Sequence, residues 1–214
     1  MARKRTPPPS TLVLLVRHGQ TPTTGAQLPG RARGLHLSDA GRAQADGVAE
    51  RIAGLKRVDA VYASPLERTR ETAAPIAAAR DLKVAVERGL LECDFGEWTG
   101  RQLKELFKLP EWKTVQRYPS GFRFPGGESF LEMQNRMTST LTGLAERHRG
   151  GVVVAVSHAD PIKAAVAHAL GTHLDLFQRI VVSPCSVTAV VYGDSGPTVL
   201  AVNAVDRLEA LAPS

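Results

Sequence analysis

The sequence predicts a three-layer α/β/α sandwich, with a mostly parallel sheet, an antiparallel edge strand and a small inserted cap. Three observations carry that prediction. Three short apolar runs, Thr11 to Val16, Val58 to Ala63 and Val152 to Val156, each lead through polar residues into helix-like sequence, the pattern of buried parallel strands joined by crossover helices. Near the C-terminus, "SVTAVVYG" and "TVLAVNAV" flank Asp194-Ser195-Gly196 and read as an antiparallel hairpin at a sheet edge. Between Phe95 and Phe130 the periodicity fades and Gly, Pro and aromatic residues collect, which marks an insertion lying over the functional site and setting its specificity.

The elements follow in order. "MARKRTPPPS" is a short basic, proline-rich leader expected to be disordered at residues 1–10, with the domain over 11–205, the cap at about 95–130 and a tail at 206–214. After "LSDAG", the segment "RAQADGVAERIAGL" places Ala43, Val48, Ile52 and Leu55 at roughly helical spacing. The next helix is expected to open at Ser64 as N-cap, with Pro65 in the first turn and Glu67 completing a capping box. "EMQNRMTSTLTGLAERHR" reads as an amphipathic helix after the insertion. A further helix is expected from Asp160-Pro161 through "IKAAVAHAL", closed by Gly171.

Composition narrows the function. With 214 residues, 43% hydrophobic and 22% charged, the chain can form one domain burying roughly 70% of its unfolded surface. "TLVLLV" is far shorter than the ~20 residues of a membrane span and no cleavage site follows, so a cytoplasmic protein with no membrane partner is expected. Cys93 and Cys185 lack metal-ligand spacing and a disulfide framework, and read as reduced thiols. The net charge of +6 is scattered and not clustered with aromatics, which points away from nucleic acid and toward small anions. The hairpin edge favours a homodimer.

Two of the three apolar runs end in histidine, Arg17-His18-Gly19 and Ser157-His158-Ala159, and ligands of open α/β sheets sit beyond the carboxyl ends of the strands. Arg68 falls in the first turn of the intervening helix, where a cation opposes the macrodipole unless an anion lies between them. Its side chain tilts back toward the strand ends. Arg70, about 200° around the helix, should face elsewhere. Two arginines, two histidines and a helix N-terminus suit a phosphate monoester, with the arginines supplying the neutralising charge and no metal or cofactor required. One histidine could attack phosphorus while the other stabilises the transferring oxygens.

"LVRHGQT", "YASPLERTRETA", "LLECDFGEWTG", "FPGGES" and "VSHADPIKAA", in that order and spacing, resemble the histidine phosphatase superfamily, in its phosphoglycerate mutase-like branch. The resemblance covers residues 11–192. It implies that His18 is the nucleophile that becomes phosphorylated, that Arg17, Arg68 and His158 form the phosphate pocket, and that Glu92 is the proton donor. Gln20, Thr21, Thr24 and Ala159 are further phosphate-binding candidates. Thr24 stands where many members carry asparagine, and Ala159 where they carry glycine; a hydroxyl and a backbone N–H can still donate there.

The expected activity is a metal-independent, acid phosphatase-like hydrolysis of a small phosphorylated metabolite through a phosphohistidine. A phosphoglycerate mutase is the alternative, with Lys104, Lys108, Lys113, Arg117 and Arg123 as candidates to grip a glycerate carboxylate. A non-catalytic module binding a phosphorylated ligand is a third reading. Trp98 is expected to serve packing, Gly126 and Gly127 a turn closing the insertion, and His36, His148, His168 and His173 surface or structural roles.

Overall fold

β1 (Thr11–Arg17) is buried over six of its residues, because both of its faces are covered by helices. In this computed structural model, which describes residues 9–205, β1 pairs in parallel with β4 (Val152–Ser157) and antiparallel with β5 (Val187–Gly193). β2 (Ala60–Ala63) pairs in parallel with β4 on its far side and with β3 (Val84–Val86), giving the order β3-β2-β4-β1-β5-β6. β6 (Gly196–Ala204) closes the expected hairpin at the edge. The tail expected at 206–214 and residues 1–8 of the expected leader lie outside the described residues.

The alternation of β1 divides the core. Leu12, Leu14 and Val16 point to α1 (Asp39–Ala53) and α2 (Glu67–Ala78), packing on Val48, Ile52, Ala73 and Ile76. Val13 and Leu15 point to α5 (Phe130–Arg147) and α6 (Ala159–Ala169), meeting Met137, Leu141, Ile162 and Val166. A third cluster lies in the segment between Phe95 and Phe130, which carries the short helices α3 (Leu103–Leu106) and α4 (Trp112–Arg117). There Trp98, Phe122 and Phe124 bury their rings against one another and against Phe130 and Met133. Trp98 is thus a packing residue, as expected.

Several local expectations give way to longer-range contacts. α2 begins at Glu67, and its N-cap is Leu66 without a side-chain bond, so no capping box forms at Ser64. α6 begins at Ala159 directly after β4, with His158 as N-cap, two residues before the expected Asp160. Gly171 follows its end at φ +64°, as expected of a terminating glycine. Ala43 is exposed, and Ala45 and Ala49 take the buried face of α1 beside Val48 and Ile52. β3 was not among the expected strands. The capping box that does form, Ser129 with Glu132 at the start of α5, went unassigned in the sequence.

Candidate active site

The sheet register brings the site together. Arg17 of β1 lies opposite Ser157 of β4, and Ala63 of β2 opposite Val156, so three adjacent strands end at one level, with His18, His158 and Ser64 as their next residues. The imidazoles of His18 and His158 stand edge to face, 5.2 Å apart at their centroids. Gly19 follows His18 because the chain turns there against the first turn of α1. A Cβ on Gly19 would lie 2.5 Å from the Gly41 carbonyl oxygen, and one on Gly41 only 2.0 Å from that of Gln20. The Gly19 N–H donates to Thr72 Oγ1 of α2 at 3.1 Å, which ties the turn to the helix that carries Arg68.

Hydrogen bonds fix both histidine tautomers. His18 Nδ1 lies 2.7 Å from the Gly19 carbonyl, which can only accept, so Nδ1 holds the proton and Nε2 keeps its lone pair. Burial, reinforced by Arg68, pushes the His18 pKa down to about 3, so the ring is neutral at ordinary pH. His158 Nδ1 faces Arg68 Nη2 at 3.3 Å and accepts from it, because a guanidinium only donates. His158 Nε2–H then donates to Ser64 Oγ at 2.9 Å. Burial, with Arg68 next, holds the His158 pKa well below its ordinary value.

Two arginines supply the charge. Arg68 is fully buried, and Nη2 also donates to the Gly30 carbonyl at 2.7 Å, while Nε and Nη1 have no partner among the described residues. Arg17 donates from Nη1 to the Val182 carbonyl at 2.7 Å, and its Nε is likewise buried and unpaired. Buried donors on permanent cations are costly without an acceptor, and an anion of several oxygens satisfies them together. Arg70 is exposed on the other side of α2, as its helical position implies. Among the described residues no group of three or more His, Cys, Asp and Glu is placed to hold a metal ion.

Glu92 is 7% exposed, and its Oε1 accepts the Cys93 N–H at 2.9 Å. Burial and the nearby Asp160 push its pKa up to about 7, outweighing the Cys93 N–H, Arg68 and Arg17, which pull it down. Its main chain is clamped. Arg31 Nε donates to the Glu92 carbonyl at 2.9 Å, and Arg136 reaches the same oxygen at 3.3 Å and the Leu91 carbonyl at 2.9 Å. Both guanidinium groups meet on Glu128, Arg31 at 2.9 Å and Arg136 through both carboxylate oxygens at 2.9 Å. Glu128 belongs to "FPGGES" but had no role assigned from sequence.

Arg17, His18, Thr21, Thr24, Glu92 and Ala159 line one cavity of about 260 Å³. Arg68 and His158 are fully buried behind this lining, where His158 packs on the His18 ring and Arg68 bonds His158. Thr24 Oγ1 accepts the Thr21 N–H at 2.9 Å, holding the start of the loop that follows β1. Gln20 does not line the cavity; its N–H donates to Gln44 Oε1 and its carbonyl accepts the Ser38 N–H, so it anchors the loop to α1. The segment between Phe95 and Phe130 contributes only Phe95 and Leu103 to the lining, whereas the loop gives Gly25, Gln27, Leu28 and Pro29 besides its two threonines. The loop after β1 therefore supplies more of that wall than the insertion does. Asp160 and Lys163 of α6 also line it, unrecognised in the sequence because their spacing fits an ordinary i,i+3 surface pair. Gly126 and Gly127 form a turn whose backbone packs on Asp94 and Gly96, away from the cavity.

Residues 13–205 match the family model of the histidine phosphatase superfamily, branch 1. The protein called phosphoserine phosphatase 1 in Hydrogenobacter thermophilus is 35% identical over 170 residues, 77% of this chain and 79% of that one. Phosphoglycerate mutase-like protein 4 of Arabidopsis thaliana is 34% identical over 156 residues, 71% of this chain and 68% of that one. Among solved structures, a phosphoserine phosphatase of Entamoeba histolytica in complex with 3-phosphoglyceric acid is similar with a TM-score of 0.83 at 26% identity, covering 92% of this chain and 98% of that one.

Proposed function

Because the chain belongs to branch 1 of the histidine phosphatase superfamily, we propose that it is a metal-independent phosphomonoesterase acting through phospho-His18 on a small phosphorylated metabolite. The observation that carries this reading is the juxtaposition of a nucleophile with a free Nε2 lone pair and buried, unpaired donors on Arg17 and Arg68. The two phosphatase relatives support the reaction class.

In the first step Nε2 of His18 attacks phosphorus, the ester P–O bond breaks, and Glu92 gives its proton to the departing alkoxide. Arg17 and Arg68 hold the equatorial oxygens, whose charge is spread in the transition state. His158, with both ring nitrogens engaged by Arg68 and Ser64, acts on the phosphoryl group by positioning Arg68 rather than by contact. In the second step the Glu92 carboxylate takes a proton from water, the water oxygen bonds to phosphorus, and the P–N bond breaks to restore neutral His18.

The mutase reading is weaker, since Lys104, Lys108, Lys113, Arg117 and Arg123 are all exposed and none lines the cavity. A purely binding role leaves unexplained a buried carboxyl whose pKa sits near neutrality. Phosphate release from a panel of monoesters in EDTA tests the proposal. Release by the wild type and none by His18→Ala is expected. Interconversion of phosphoglycerates far faster than release would replace hydrolysis with mutase chemistry.

A further inference from the structure

A second cavity adjoins the first, and Leu103, Asp160 and Lys163 line both. The catalytic cavity, at about 260 Å³, falls below the roughly 300–1,000 Å³ of most small-molecule sites. The adjoining groove adds about 510 Å³, and its farther wall is Phe107, Trp112, Gln116 and Gln178. Phe107 stands out among the aromatic residues around it. Trp98, Phe122, Phe124 and Phe130 are buried, whereas the Phe107 ring is 57% exposed and rests on Trp112 with centroids 5.0 Å apart. Trp112 is itself backed by Trp98 in a stacked arrangement at 6.2 Å, so the pair is a supported aromatic surface facing the groove.

Polar groups stand where the two cavities join. Lys163 Nζ lies 3.4 Å from Asp160 Oδ1 and 3.3 Å from Gln178 Oε1, both beyond the best hydrogen-bond range, and an ammonium has three donors to offer. A leaving alcohol anchored by its phosphate at Arg17, His18 and Arg68 passes this point before it reaches the aromatic wall. We propose that the preferred substrate is a phosphate monoester whose alcohol ends in a flat aromatic ring, with a hydroxylated linker beside Lys163 and Asp160 and the ring on Phe107 and Trp112. This rests on the phosphatase reading above and names the substrate class for the same site.

The test is kcat/KM on a purine ribonucleoside 5′-monophosphate against ribose 5-phosphate, which shares its phosphate and linker but lacks the ring. Phosphoserine serves as the small reference substrate. The wild type is expected to favour the nucleotide by about 2- to 10-fold, the scale of one aromatic stacking contact. Phe107→Ala should bring the two substrates together by raising KM for the nucleotide alone, while Phe107→Tyr keeps the preference. Phe107 is exposed, so its truncation leaves the core packed. Equal values in the wild type, a preference untouched by Phe107→Ala, or turnover of phosphoserine alone would overturn the substrate assignment and leave the phosphatase reading standing. Turnover of ribose 5-phosphate that survives His18→Ala would overturn the underlying mechanism instead.

Discussion

Arg68 Nη2 lies 3.3 Å from His158 Nδ1 with both side chains fully buried, and this contact decides which protons the site can move. A guanidinium donates only, so His158 presents a bare Nδ1 to Arg68 and carries its proton on Nε2, where Ser64 Oγ accepts it. The chain Ser64–His158–Arg68 thereby fixes a cation beside the His18–His158 ring pair.

Ser64→Ala removes the acceptor for His158 Nε2–H and leaves that donor buried without a partner. Leaving a buried donor unsatisfied costs about 1–3 kcal/mol, roughly 5- to 150-fold where the whole cost falls on the transition state. We expect kcat to fall by about tenfold, with KM changing less, and steady-state kinetics on a folded variant measures it.

Arg68→Ala and Arg70→Ala separate the two faces of α2. Loss of the buried Arg68 should lower kcat/KM by about 10²-fold or more, as removal of one oxyanion donor does. The exposed Arg70 should be replaceable with little effect. Equal losses would contradict the placement of α2.

The pH dependence follows from two shifted groups. In the proposed mechanism the first step needs His18 neutral, which holds above about 3, and Glu92 protonated, which holds below about 7. Phosphohistidine formation should therefore fall as pH rises through about 7, and Glu92→Gln should lose that limb along with about 10²- to 10⁴-fold in rate. The same shift has a stability sign. The folded pKa of Glu92 is raised, so its contribution is fully present below its ordinary value of 4.5 and lost as pH rises through about 7. Urea unfolding of wild type and Glu92→Gln at pH 5 and pH 8 should show the variant losing less stability on the alkaline side.

Glu128→Gln tests the clamp on the Glu92 main chain. Without the Glu128 carboxylate, Arg31 and Arg136 stand beside Glu92 with one neutralising charge fewer. The charged groups that act on the Glu92 carboxyl are Asp160 from α6, Arg68 from α2 and Arg17 from β1, while Arg31 and Arg136 grip its main chain. Added positive charge favours the carboxylate, so the alkaline limb should move to lower pH and kcat should drop, with KM nearly unchanged. Glu128→Asp should restore part of both. A loss of stability with an unmoved limb would reduce Glu128 to a structural role.

Much of this arrangement was legible because the strands are marked by composition alone. An apolar run that stops at Arg17-His18 or Ser157-His158 states where it leaves the core, and helical angle separates Arg68 from Arg70. The failures come from contacts between residues distant in sequence. Ser64-Pro65-Leu66-Glu67 reads locally as a capping box, but His158 engages the serine hydroxyl from 94 residues away. Arg31, Glu128 and Arg136 likewise show their purpose only when three separate elements meet. β3 has three residues, too few for periodicity to register, and the loop that walls the cavity is irregular and polar, which hides its function.

The central claim is tested most directly by alkali-quenched mass spectrometry, kept free of acid, of the protein during turnover of a phosphomonoester. Mapping phosphate to His18 as an acid-labile, alkali-stable adduct, absent in His18→Ala and accumulating in Glu92→Gln when an activated aryl phosphate is the donor, is the predicted result. Steady hydrolysis with no phosphate on His18, or hydrolysis retained in His18→Ala, would contradict it.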